Sequence, residues 1–359
     1  MEVHLSILVI SIFILFLSNS DKNKYKFLFP VSALVITTYA AIRYDYGLDY
    51  WSYYEGYSTG KTMNERSFYG DTLYYFFVHL FPNYMSFIAV QSVLVFGSTL
   101  LYIRKYITPH YYWFCIFMLL STPGLFANWI SAIRCSLAAV VVWLAAYYFL
   151  QKKTSYVLYS LCVIGAVFFH TSAAIFIIIP VLNKLIPKMN TIVLMGILIA
   201  AILVGFFIPA EALEYVLSSS QMTQGYRDSY EGEAYNINGV IFKAVYIIPA
   251  FYIFKYKETR INQWDSTILS FVFLCLVLHF TSLDFQNRYT CFIFIYFVVA
   301  IAMVLPKLGR IEKLIVLVPL ILKGIYGLHI YYQDLTEKYI LLDGCPLFYH
   351  TIFESPNII

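Results

Sequence analysis

Eleven stretches of this chain are long and apolar, and the charges in the connections between them decide how the stretches can be threaded. They lie at roughly 4 to 18, 27 to 42, 84 to 103, 110 to 125, 130 to 150, 155 to 182, 191 to 208, 239 to 254, 266 to 283, 289 to 305 and 313 to 331. Each is near the ~20 residues that carry a helix across a ~30 Å hydrocarbon core. The sixth is out of scale: Ser155 to Leu182 is 28 residues, with His170-Thr171-Ser172 in its middle and Pro180 near its end. As one helix it would run about 42 Å. Lys and Arg near span ends favour the cytoplasm. The connections holding Lys22, Lys24 and Lys26, Arg104 and Lys105, Lys152 and Lys153, Lys184 and Lys188, Lys255, Lys257 and Arg260, and Lys307, Arg310 and Lys313 all fall on that side only if the sixth run goes out and comes back. Fifteen of the 24 basic residues are then inside, with only Asp21, Glu258, Asp265 and Glu312 of the 20 acidic ones. The expected fold is all-α: a polytopic integral membrane helical bundle of about twelve crossings, both termini outside, with His170 at the external tip of a hairpin of short or re-entrant helices.

Composition agrees. With 61% hydrophobic and 12% charged residues and a mean hydropathy of +0.72, the chain is far from the roughly one-quarter charged content of soluble domains. Met1 and Glu2 precede the first run, where a cleaved signal would carry positive charge, so that run is expected to be retained as a span. The six cysteines have no metal-ligand spacing and read as small core hydrophobes. No phosphate-binding glycine loop or zinc-protease helix occurs, which argues against nucleotide hydrolysis. No repeat or linker divides the chain. Residues 1–359 are expected to form one membrane domain with large external segments at 43–83 and 209–239 and an external tail at 332–359.

The stretch Arg43 to Tyr57 leaves the second run with one arginine, three carboxylates and a dense series of Tyr and Trp rings. Two readings compete. Rings and charges can form an interface belt, or they can form a sugar-handling surface, where hydroxyls meet acceptors and C–H faces meet rings. On the second reading Tyr50, Trp51 and Tyr53 hold sugar. Asp45 and Asp49, four apart, act as base or hydroxyl anchors, unless they simply pair with Arg43.

With this topology Arg43, Arg134, His170 and Arg288 reach the same external level. Ionisable groups there either snorkel to headgroups or line a wet cavity that binds a charged ligand. Arg134 and Arg288 each open a helix, with Asn128 or Ser131 and Asp284 or Asn287 as candidate caps, and helix N-termini favour anions. Three guanidiniums and two such termini suit a diphosphate. His170 beside Thr171 and Ser172 is a candidate base, or a satisfied interface histidine. Lys323, deep in the last run, snorkels or meets an internal acid. No chelating cluster is spelled out, so neither metal nor cofactor is expected.

At these residues the chain resembles the Wzy-type polysaccharide polymerases in their EpsG-like branch. The likeness rests on Arg43-x-x-x-Gly47-x-Asp49-x-x-x-Tyr53, on Ile133-Arg134-x-x-Leu137-Ala138, on Phe169-His170-x-Ser172-Ala173 and on Arg288 before an apolar run. The family pattern has Gly-Thr-Asp where this chain has Gly47-Leu48-Asp49, and Arg-Gln-x-Leu-Ala where it has Arg134-Cys135-Ser136-Leu137-Ala138. The resemblance implies a GT-C-like glycosyltransferase of the bacterial inner membrane, active site facing the periplasm, that polymerises O-antigen or exopolysaccharide repeat units in lipopolysaccharide or polysaccharide biosynthesis. It would move an undecaprenyl-diphosphate-linked oligosaccharide onto the terminal sugar of another, with membrane lipid and a chain-length regulator protein as further partners and no nucleic acid. Arg134, Arg288 and Arg43 would hold the diphosphate, and His170, Asp49 or Asp45 would take the acceptor proton. An O-antigen ligase would use similar cationic equipment. A transporter or flippase would instead line a path through both leaflets.

Overall fold

The computed structural model describes residues 2–17, 22–44, 49–59, 72–122, 125–152, 155–207, 244–257, 263–281, 288–341 and 350–351. The expected loop 209–239, Asp45, Asp284, Asn287 and most of the tail lie outside these residues. What is described is a helical membrane protein. Its first helices are α1 (Glu2–Leu17) and α2 (Lys22–Ala41). After two short helices, α3 (Tyr50–Thr59) and α4 (Thr72–Val78), come α5 (Tyr84–Tyr106), α6 (Tyr112–Ser121), the six-residue α7 (Phe126–Ser131) and α8 (Ile133–Ala145), which continues as a wider π-helical segment to Lys152. Then follow α9 (Tyr156–Val167), α10 (Ile179–Leu185), α11 (Thr191–Phe207), α12 (Ile247–Lys257), α13 (Gln263–Phe280), α14 (Arg288–Val304) and α15 (Arg310–Leu341). Among the described residues, Tyr84–Tyr106, Ile133–Lys152, Thr171–Lys188 and Tyr289–Lys307 are long and apolar enough to cross a membrane, and Phe27–Ala41, Tyr156–Val167, Thr191–Gly205 and Ser266–Phe280 are shorter apolar helices.

The innermost helix is α14, apolar all round and buried from Cys291 to Ala302, as a helix surrounded by protein should be. Two indoles tie it to its neighbours: Trp129 Nε1 donates to Cys291 O (2.9 Å) and Trp143 Nε1 to Phe292 O. Phe271 of α13 stacks on Tyr296 at 4.1 Å. These polar tips on large apolar bodies give the core fixed register as well as area.

The run 155–182 does not form one helix. It breaks at Phe168–His170, then resumes as a tight 3-10 segment, Thr171–Ile178, leading into α10. The arms fold back on each other: Tyr159 OH donates to Phe176 O (3.0 Å), and Lys184 Nζ sits 5.0 Å from the Tyr156 ring. The second arm, Thr171–Lys188, has the length of a full span, whereas α9 has 12 residues.

Basic helix ends gather at one end of the bundle, away from that break. Lys257 donates to Ile186 O (3.0 Å) and Met189 O, Thr191 Oγ1 to Phe254 O (3.0 Å), Tyr256 OH to Lys307 O (3.4 Å) and Tyr112 OH to Arg104 O (3.3 Å). Lys105 and Lys152 meet over Tyr147. At the other end, Arg43 and Tyr44 pair antiparallel with Thr351 and His350, so the chain beyond α15 returns to the exit of α2. The last helix is longer than the expected run 313–331: it continues through Pro319 to Leu341.

One contact is set by an absent side chain. A Cβ on Gly205 of α11 would lie 2.1 Å from the backbone carbonyl oxygen of Phe280. Small residues let helix backbones approach this closely in membranes. Because a backbone oxygen cannot swing aside, Gly205→Ala is expected to push α11 off α13 and cost about 1–3 kcal/mol, the overpacking range. A lowered thermal midpoint of the detergent-solubilised protein checks this; an unchanged midpoint counts against the close approach.

Candidate active site

Arg134 is the second residue of α8, placed there by a sharp break. Ala132, at φ −85° and ψ 68°, separates α7 from α8 and can offer no capping side chain; the expected caps Asn128 and Ser131 lie inside α7. From this turn Arg134 Nε donates to Tyr53 OH (3.4 Å), with its guanidinium carbon 5.6 Å from the Tyr53 ring centre. Two segments about 80 positions apart thus meet at the start of α8.

Tyr53 stands on α3, which folds because the stretch behind Arg43 buries rings on one face. Tyr50, Tyr53 and Gly56 are buried at helical spacing, and Tyr53 N–H donates to Asp49 O (3.1 Å) in the first turn. With Tyr74 and Val78 of α4, Tyr84, Phe87 and Ile88 of α5, and Ile133 and Leu137 of α8, these rings form a second, smaller core. Tyr53 lies 5.7 Å from Tyr74, and Tyr50 5.5 Å from Tyr84, ring to ring. Burial pushes the Tyr53 phenol above its ordinary pKa, Arg134 pulls it down and Asp49 pushes it up; Tyr74 is raised further, burial again outweighing Arg134. Both phenols are therefore neutral near pH 7, and Tyr53 can accept from Arg134. Of the three rings expected to hold sugar, Tyr50 and Tyr53 are enclosed and Trp51, 43% exposed, presents its indole outward.

The hairpin tip packs onto the same assembly. Leu73 N–H, at the start of α4, donates to Phe168 O (3.3 Å), and Phe77 meets Phe169 at 6.1 Å. His170, extended at φ −160° and ψ 125°, caps the segment that follows: its Nδ1 accepts from Ser172 N–H (3.3 Å) and contacts Ser172 Oγ. A neutral ring with Nδ1 accepting carries its proton on Nε2.

Arg43 occupies a different environment. Its side chain is fully buried and donates to Ala40 O, Ser92 Oγ (2.7 Å), Gln91 Oε1 (3.1 Å) and Ile130 O (3.3 Å). Gln91 Nε2 passes the network on to Trp129 O (2.9 Å) and Ser136 Oγ (2.7 Å). Arg43 thus joins the exit of α2, the middle of α5, and the α7–α8 break from which Arg134 projects. Arg288 opens α14, whose first turns sit beside α7 through Trp129; its side chain lies outside what is described, as does Asp45.

Compared with known families, the chain matches the model of the EpsG family over residues 26–341. It belongs to the EpsG family. No curated protein and no solved structure matches it. The matched stretch runs from α2 to the end of α15 and takes in Arg43, Arg134, His170 and Arg288. EpsG membership suggests a polysaccharide-polymerase-like, glycosyltransferase-like role in polysaccharide biosynthesis.

Several residues of this candidate site had little signal in the sequence alone. Gln91, Ser92 and Ser136 carry the network behind Arg134, and the available signal was an amide inside an apolar span, where polar groups are expensive. Tyr74 and Tyr84 were hidden among the chain's 34 tyrosines. Lys323 lies 3.8 Å from the Tyr246 ring centre, and Tyr246 in turn meets His279 at 5.3 Å, so the lysine is held against an aromatic face.

Proposed function

We propose that this EpsG-family protein is a polysaccharide polymerase: a GT-C-type glycosyltransferase with about twelve crossings in a bacterial inner membrane. It passes a polyprenyl-diphosphate-linked glycan to the terminal sugar hydroxyl of another lipid-linked repeat unit on the periplasmic side. The observation that carries this is the meeting of Arg134 with Tyr53, beside the His170 hairpin tip and at the end of the bundle away from the gathered lysines. Positive charge favours the cytoplasm, so the lysine-rich end is read as cytoplasmic and the Arg134 end as periplasmic.

In the reaction the anomeric C–O bond to the donor diphosphate breaks as the acceptor oxygen bonds the same carbon, and the acceptor proton leaves. Arg134 and Arg288 stabilise charge growing on the departing diphosphate. With Nδ1 engaged in its cap, His170 serves best as an Nε2–H donor to that leaving group. The exposed Asp49 carboxylate, in the turn that opens α3, then takes the proton, and Trp51 offers the sugar a ring face. Arg43 holds this arrangement in place from behind.

The test is purified protein with a synthetic undecaprenyl-diphosphate repeat unit, with and without chelator. Dimer and longer lipid-linked products are expected in both conditions. Transfer only to added lipid A core would make the enzyme a ligase, and no product with either acceptor would reject the proposal. His170→Gln, which keeps a donor, is expected to retain most of the rate that His170→Ala loses; equal loss in both would return His170 to the role of base.

A further inference from the structure

The end of α8 remote from Arg134 carries a second cationic feature. Between Lys105 and Tyr106 at the end of α5 and Gln151 and Lys152 at the end of α8 lies a recess of about 330 Å³. It sits roughly 25 Å from Arg134 along the same helix, at ~1.5 Å per residue or slightly less, and has no part in the chemistry proposed above.

Its geometry is unusual for two snorkelling lysines. The Lys105 ammonium lies 3.8 Å and the Lys152 ammonium 4.7 Å from the centre of one ring, Tyr147, and Lys105 also donates to the Tyr147 hydroxyl. Two like charges over one ring are mutually repulsive at any spacing this short, and a bound anion between them removes that cost. The arrangement arises because α8 widens into a π-helical turn over Ala146–Lys152. There the i→i+5 pattern brings Tyr147 alongside Gln151 and Lys152, and such segments recur at binding sites. Tyr106 OH donates to Gln151 Oε1 (2.6 Å), which fixes the amide. The Gln151 Nε2 is buried and has no hydrogen-bond partner among the described residues, leaving a donor in the wall of the recess unsatisfied. Unmade buried hydrogen bonds are costly, and a phosphate oxygen is an acceptor of the right kind.

We infer that this recess binds the phosphate of an anionic phospholipid headgroup. Lys105 and Lys152 supply the charge, Gln151 the directional donor, and Tyr106, Tyr147 and Tyr148 the rings that settle at headgroup depth. Basic pockets between helices at a membrane surface bind such headgroups. A lipid, rather than soluble phosphate, fits because the site lies at the ends of two helices long enough to cross the membrane, Tyr84–Tyr106 and Ile133–Lys152, where headgroups are already concentrated.

The experiment places full-length protein in nanodiscs of phosphatidylcholine with or without phosphatidylglycerol, reading the thermal midpoint, and follows lipid retained after detergent release by native mass spectrometry. Wild type is expected to gain stability with phosphatidylglycerol and to retain it. Lys105→Gln/Lys152→Gln should retain roughly thirtyfold less, at about 1 kcal/mol for each of the two lysines. Equal retention by the double variant, or equal stabilisation by phosphatidylcholine alone, would overturn the inference. So would inorganic phosphate in phosphatidylcholine discs matching the effect of phosphatidylglycerol, since the site would then serve a soluble anion. If the double variant fails to fold, raising the salt concentration on wild type must release the lipid, because contacts between exposed charges are screened; retention indifferent to salt counts against the proposal.

Discussion

Arg134→Ala is expected to lower polymerisation by about 10²–10³-fold, the range for removing one preorganised group that stabilises developing charge. In cells the surface-polysaccharide ladder should collapse to a single repeat while protein abundance stays near wild type, because Arg134 is only partly buried. Arg134→Lys restores the charge but not the planar fork, so it should recover part of the rate at best. Tyr53→Phe separates two roles. It removes the hydroxyl that accepts from Nε yet leaves the ring beneath the guanidinium. If Tyr53 only aims Arg134, the loss should be small, and Arg134→Ala with Tyr53→Phe should be no worse than Arg134→Ala alone. An unshortened ladder in Arg134→Ala would remove the foundation of the functional proposal.

That contact could not have been found from the sequence, and the reason is physical. The apolar runs were legible because a helix in lipid must satisfy its own backbone and present an apolar surface over its whole length; α5, α11, α13 and α14 fall where hydropathy put them. The break at Phe168–His170 was legible because a 28-residue run is too long for one crossing and because the basic connections must fall on one side. The packing of α3 and α4 was not. Their rings are as apolar as those of a span, but the helices are short and their register depends on filling space against Tyr84, Phe87 and Ile133. Sequence marked Tyr50, Trp51 and Tyr53 as one aromatic surface, whereas a helix of 3.6 residues per turn sends the first and third inward and the second outward. Arg43 was legible as an expensive charge at the mouth of a span, but no spacing rule tells a guanidinium facing ligand from one turned back into the protein.

Arg43 therefore gives the second large effect, this time on stability. Its guanidinium is fully buried among the oxygens of Ala40, Gln91, Ser92 and Ile130, on three separate elements. Arg43→Ala strips those acceptors of their donor and leaves a void, for which the cost of breaking a buried charged network is about 3–5 kcal/mol. The variant should accumulate poorly and melt well below wild type in detergent. Gln91→Leu, which cuts the same network one step later, should reproduce part of the loss, and a double-mutant cycle between the two should be non-additive by about 0.5–3 kcal/mol. Arg43→Lys should not rescue, since one ammonium cannot serve oxygens spread around a planar fork. The opposite pattern has a clear meaning: an Arg43→Ala protein that folds with an unchanged midpoint, binds undecaprenyl diphosphate more weakly and makes no polymer would have lost a ligand contact rather than a brace. Arg43 would then belong with Arg134 in the diphosphate cradle, and the buried network would describe only the site without its substrate. Because the two outcomes move midpoint and ligand affinity in different proportions, measuring both on one preparation decides between them.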